Sequence, residues 1–468
     1  MMVRYRLAVV LAASLVGFAS AVTLPAAAAP DGGTAAGRSP VWVATYHGPS
    51  GNSRAVAEAI SPDGTTLFVT GSTGEMGAAG PYHWATIAYN TATGGQRWLR
   101  TYQGTDVSSS SSAAPAAIAV SQGGSTVFVT GSVTNTGGAQ AEATVAYGAA
   151  TGARLWVAQH PTDARPVSAA VSPDGTRLFV PSNDYSAQAY DTAIGHLVWS
   201  ATVTGLDSNS TAQTAALSLD GSALFVTGSG FTSTGRQEYQ TAALDAATGT
   251  TRWVQHYTRP HQGTSSGNFA VAVLVSPDGS LVYVAGQNPG GSRNSAVIAD
   301  SAATGALRWA RFSANHAFSA ALSPGGSRLF VGGTLFGTPH GNVYDTQGRN
   351  AVTGKLLWAH VQRNSPATDT VVSRPHVMTV SPDSARVFVT GTVDSGGPQD
   401  AAEQMTLAYN PATGALLWFA TFALSVQGVV GAIPAAIVVS PDSTRVFVTG
   451  LAQTTAGNWD FATVAYRA

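Results

Sequence analysis

The sequence predicts an all-β fold, an eight-bladed β-propeller of four-stranded blades, on three observations. An apolar segment ending in a Ser-Pro-Asp-Gly-type turn recurs eight times, with turn serines at Ser61, Ser121, Ser172, Ser218, Ser276, Ser323, Ser381 and Ser440. Tryptophans recur at the same interval: Trp98, Trp156, Trp199, Trp253, Trp309, Trp358 and Trp418, with Trp42 standing alone near the start. The units run 46–60 residues, which suits four short strands and their turns.

In the first unit, strand A is the apolar AVAEAIS and strand B the β-branched and aromatic TLFVTG. Strand C follows a T-x-A-Y pattern and strand D starts at the tryptophan. Pro-Asp-Gly suits the A–B turn, because proline presets φ and glycine tolerates positive φ. The sequence ends on ATVAYRA, 462–468, directly after a strand C, whereas VWVATYHG, 41–48, has no strand C of its own. The N-terminal strand is therefore expected to complete the last blade and close the ring. On that reading, deleting 41–48 unfolds or aggregates the protein, and an unchanged melting temperature would refute closure.

Composition narrows the function classes. Of 468 residues, 44% are hydrophobic, enough for a sizeable core. Only 10% are charged and the net charge is −1, which gives no basic footprint for nucleic acid. The absence of cysteine excludes disulfides, thiolate metal sites and cysteine catalysis. Arg4 and Arg6 precede an apolar run from Leu7 to about Val22, and Ala26 and Ala28 fit an A-x-A cleavage site. Residues 1–28 thus read as a secretory signal peptide, 29–40 as a short linker and 41–468 as a single propeller. No later segment has the length of a membrane span, so an exported, soluble protein is expected. A closed ring of low charge is compatible with a monomer.

The spacing A-x-[DN]-x-x-T-G-x-x-x-W, as in AYNTATGGQRW (88–98) and AYNPATGALLW (408–418), resembles the tryptophan-docking motif of the quinoprotein, or PQQ-like, eight-bladed propellers. SPDGTRLFV (172–180) looks like the YVTN-type repeats of exported bacterial proteins. The resemblance implies that the eight tryptophans pack between adjacent blades and that the glycine permits the C–D turn. It also implies, for the dehydrogenases of that family, a vicinal cysteine pair and calcium-binding Glu, Asn and Asp. This chain has no cysteine and no segment matching the calcium ligands. The motif therefore reads as packing. No cofactor is expected, with PQQ or calcium left as unsupported options.

Antiparallel blades put the A–B and C–D turns on one face and the longer, irregular B–C and D–A loops on the other, which is the expected binding face. Seven residues before the turn serines stand Arg54, Ala114, Arg165, Thr211, Phe269, His316, Arg374 and Ile433. Arg54, Arg165, His316 and Arg374 form a candidate anion site at the channel mouth; the competing reading is that they cap strands and pair with loop acids. Just before strand C come His83-Trp84, Glu238-Tyr239, Glu403-Gln404 and Asp460-Phe461, whose acids are expected to accept backbone or arginine hydrogen bonds. Trp84 and Trp459 stack on a ligand if exposed and plug loops if buried, the plug being the expected reading. Glu58, inside an apolar strand A, must be paired or have a shifted pKa. GTSSG (263–267) around Ser265 matches G-x-S-x-G by chance, lacking a strand–turn–helix elbow. His160, His256 and His360 are expected on the outer surface, and no metal-ligand spacing occurs.

The leading functional reading is a secreted, non-enzymatic scaffold binding an extracellular ligand or protein through the B–C/D–A face. The alternative is an extracellular lyase or hydrolase acting on an anionic glycan or lactone. There Arg54, Arg165 and Arg374 would hold the anion and His316 or Glu58 would move protons. A PQQ-dependent dehydrogenase ranks third.

Overall fold

The computed structural model describes residues 36–49, 52–74, 82–104, 112–135, 138–206, 209–259, 267–288, 294–338, 341–362, 374–394, 402–422, 431–453 and 458–468. The segment 1–28 read as a signal peptide lies outside the described residues, as does Ser265. The described chain forms eight antiparallel four-stranded sheets arranged in a ring. The first blade, Ser53–Ile60, Thr66–Thr73, His83–Asn90 and Gln96–Tyr102, sets the pattern of sequential A, B, C and D strands. The first strand of a blade touches the first strands of its neighbours, which makes strand A innermost. The third blade departs from the pattern: its strand A shrinks to Ala170–Val171, with an isolated Pro166–Ser182 bridge before it.

The N-terminal strand Trp42–Tyr46 pairs antiparallel with Trp459–Arg467, Trp42 opposite Ala465 and Tyr46 opposite Phe461, and so completes the eighth blade. The expected linker is more than a linker. Ala36–Gly37 adds a short parallel strand to Trp418–Phe419 on the seventh blade, and the Arg38 guanidinium lies 5.0 Å over the Trp418 ring. From there Arg38 Nη1 donates to the carbonyl of Arg467 at 2.6 Å. The N-terminal segment thus ties the seventh and eighth blades together twice.

The hydrophobic core is not one central mass but eight clusters, each shared by two adjacent blades. At six seams the tryptophan Nε1–H donates across to a backbone carbonyl just before the next C–D turn: Trp42 to Thr91, Trp98 to Ala149, Trp156 to Thr192, Trp199 to Ala246, Trp253 to Ala302 and Trp358 to Pro411, at 2.8–3.1 Å. The turn glycine of that next blade sits on the indole. Gly305, at φ +70°, would place a Cβ 2.7 Å from Trp253 Cε3, so only glycine fits both the left-handed backbone and the space. Each blade therefore carries its neighbour's contact residue, and the repeat is also the adhesive.

Candidate functional site

The A–B turns saturate their own polar groups. At the first turn Ser61 Oγ donates to Asp63, whose carboxylate also accepts from the Thr65 N–H, while Thr66 N–H donates to Ser61 Oγ. The same pattern recurs at Asp174, Asp220, Asp278 and Asp442. These hydroxyl and amide donors hold all five carboxyls below the usual aspartate range. The A–B turn aspartates therefore have little polar capacity left for a ligand.

The opposite rim differs. Arg54, His316 and Arg374 occupy one register, opposite Ser72, Thr334 and Thr392 of strand B. A one-residue bulge follows each of them in strand A and bends the strand at the mouth. Arg165 lies one residue before the isolated Pro166–Ser182 bridge, its backbone N–H on Asn183 Oδ1 at 2.8 Å. The four positions thus stand on the first, third, sixth and seventh blades, spread around the mouth. The side chain of Arg374 lies outside the described residues. Arg54 and Arg165 are exposed, and neither forms an ion pair among the described residues.

His316 does not match a cationic role. Its ring meets Phe336 edge-on at a centroid distance of 4.7 Å, and burial lowers its pKa from the ordinary 6.5, which disfavours the charged form. Phe336 and Phe269, 42% and 39% exposed, are the exposed phenylalanines among the described residues, and both stand on this rim. Sequence reasoning placed Phe269 in the register but assigned it nothing, and missed Phe336. The run LFGTP at the end of an unusually long strand B, Arg328–Thr338, was the available signal.

Trp84 cannot stack on a ligand: it is 1% exposed, packed against Tyr102 at 5.1 Å and against Gly131 of the next blade. Trp459 is half-buried, and its backbone bridges to Asn52 at the entry to the first blade's strand A. Two of the acids before strand C bond histidines on the D side rather than arginines: Asp460 meets His47 Nδ1 at 2.6 Å, and Glu238 meets His256 Nδ1 at 2.5 Å and the Gln240 amide at 3.2 Å. His360 is not a free surface residue either, since it packs on Tyr409 across a seam at 5.0 Å. Glu58 is buried with both oxygens lacking a donor, and burial raises its pKa well above the carboxylate range. It sits in the seam against Val438 and cannot reach a substrate at the mouth, which removes it as a proton donor there. Among the described residues no cluster of three or more His, Asp or Glu could hold a metal ion.

Three solved structures share the fold over 92% of this chain. They are the C-terminal WD40 domain of Sif2 (12% identity, TM-score 0.58, 99% of that chain), BamB from Moraxella catarrhalis (15%, 0.51, 100%) and Chaetomium thermophilum Sqt1 bound to the N-terminus of ribosomal protein L10 (15%, 0.58, 100%). No curated protein matches the sequence. The family described as outer membrane protein assembly factor BamB, a PQQ-type repeat family, matches residues 84–290 and 241–464. With most of its blades inside that match and its seams built as repeats, this chain belongs to the BamB-type PQQ-repeat propeller family.

Proposed function

We propose that this protein is a secreted, non-enzymatic binding scaffold that engages a partner with anionic groups through the rim of its B–C and D–A loops. One observation carries the reading. On that rim Arg54 and Arg165 stand exposed without a carboxylate among the described residues, and Phe269 and Phe336, on the fifth and sixth blades, are exposed on the same rim. Arginine and aromatic side chains together are the residue types that anchor interfaces, whereas the aspartates of the A–B turns on the opposite face are satisfied within their own turns. Sqt1, a propeller of the same fold bound to the N-terminus of a ribosomal protein, supports this kind of use. The leader-like residues 1–28 support export.

The test is a thermal-shift panel on the full chain with acidic oligosaccharides, an acidic peptide, calcium, and PQQ with and without calcium. Each is repeated on Arg54→Ala/Arg165→Ala/Arg374→Ala. A ligand that binds only the folded state raises Tm. A rise with an acidic probe that disappears in the variant is expected; a rise with PQQ that survives it would overturn the scaffold reading.

A further inference from the structure

Strand C carries one position that faces the preceding blade beneath its tryptophan. Five blades place tyrosine there, Tyr89, Tyr147, Tyr190, Tyr409 and Tyr466, all buried. The sixth blade places Arg349, which is 4% exposed. A guanidinium in a hydrophobic seam is costly unless it is paired or serves a ligand. Here no carboxylate contacts it directly. Its Nη2 donates to Gln347 Oε1 at 2.6 Å and to Ser313 Oγ at 2.5 Å, its Nη1 donates to the Gly354 carbonyl at 3.1 Å, and its Nε has no acceptor. Asp345 is one step removed, bound through Gln347 Nε2 at 2.7 Å.

This seam also opens into a cavity of about 720 Å³ between the fifth and sixth blades, lined by Arg311, Ser313, Gln347, Arg349, Lys355 and Leu356. Arg311 is held at the wall by its donation to the Thr353 carbonyl and by the Trp309 ring 5.7 Å away. Three cationic residues, a serine and a glutamine therefore line one open volume, with no acid among the lining residues. Fixed guanidinium groups with neighbouring hydroxyl and ammonium donors suit the several acceptor oxygens of a tetrahedral oxyanion.

We propose that this cavity is a second binding site, separate from the mouth, which takes the oxyanion of a small phosphate or sulfate ester. The Arg349 guanidinium is its buried base, and Lys355 and Arg311 its outer contacts.

The experiment is a thermal-shift titration of the full chain with inorganic phosphate and with sulfate against chloride at constant ionic strength. It is repeated on Arg349→Tyr, Lys355→Ala and Arg54→Ala/Arg165→Ala. Arg349→Tyr restores the side chain that five other blades use, so it is expected to fold. Phosphate or sulfate should raise the wild-type Tm where chloride does not, and the better of the two names the ester class. Arg349→Tyr should lower the apparent affinity at least tenfold and Lys355→Ala several-fold, while the mouth variant keeps the full shift. The proposal is overturned if the wild type responds to neither oxyanion, or if Arg349→Tyr binds as well as wild type. Loss of the shift in the mouth variant alone would overturn it too. Should Arg349→Tyr not fold, unchanged binding by Lys355→Ala would be enough to reject the site.

Discussion

Two glycines of the fifth blade separate the cost of a left-handed backbone from the cost of disturbing a seam. Gly279 in the A–B turn and Gly305 in the C–D turn have φ of +68° and +70°. A Cβ on Gly279 meets nothing within 4 Å, whereas one on Gly305 lies 2.7 Å from Trp253 Cε3 and 2.8 Å from Cδ2. Gly279→Ala therefore carries only the conformational cost, about 1 kcal/mol. Gly305→Ala adds overpacking, about 1–2 kcal/mol. It also strains the 2.9 Å bond from Trp253 Nε1 to the Ala302 carbonyl, a net contribution of about 1 kcal/mol. The expected losses are about 1 and about 3–4 kcal/mol. Urea unfolding of the full chain followed by tryptophan fluorescence reads both, and equal losses within about 0.5 kcal/mol would refute the claim that indole–turn contact holds the seams.

Three further outcomes follow from the same geometry. Ser384, at φ +58° in the SPDS turn, holds the place that glycine takes elsewhere, so Ser384→Gly should stabilise by about 0.5–1 kcal/mol in the same urea assay. Glu142 is buried beside Ser182, and burial pushes its carboxyl up to about 8 from an ordinary 4.5. A folded-state pKa raised in this way means that the folded protein holds the extra proton. The stability linked to that proton is complete below about pH 4.5 and falls as pH rises toward 8, with about 1 kcal/mol lost between pH 7 and 8. Asp300, raised to about 7, is half titrated at pH 7 and contributes a smaller share of the fall, so Glu142→Gln should reduce the drop of the urea midpoint over pH 7–8 without abolishing it. Arg38→Ala removes the guanidinium that spans Trp418 and the Arg467 carbonyl, and should lower stability by about 1–2 kcal/mol while leaving the other seams intact. Hydrogen exchange should then rise first in the outer strands of the seventh and eighth blades.

The architecture was legible because the information is repeated: turn glycines, tryptophans and T-x-A-Y strands recur with constant offsets, and the unmatched first and last strands imply closure. Side-chain surroundings were not legible. Nothing local marks Trp84 as buried, since that depends on Gly131 of the next blade providing a flat surface for the indole. The edge-on packing of His316 depends on Phe336, which lies on another strand. The acid–histidine pairs join strands C and D through register, not sequence proximity. Arg349 was visible as the sequence GRN where five other blades read Ala-Tyr at the same place, but reading it as a site required the cavity beside it.

The central claim is that the arginine and aromatic rim, not the turn-built face, meets the partner. Isothermal calorimetry with oligogalacturonate and with an acidic peptide tests it most directly, on wild type, Arg54→Glu/Arg165→Glu, and Arg97→Glu/Arg154→Glu at the opposite ends of the blades. The account predicts binding that weakens at least tenfold in the rim variant and stays within twofold in the other. Binding by neither probe, or a loss confined to the Arg97/Arg154 variant, would contradict it.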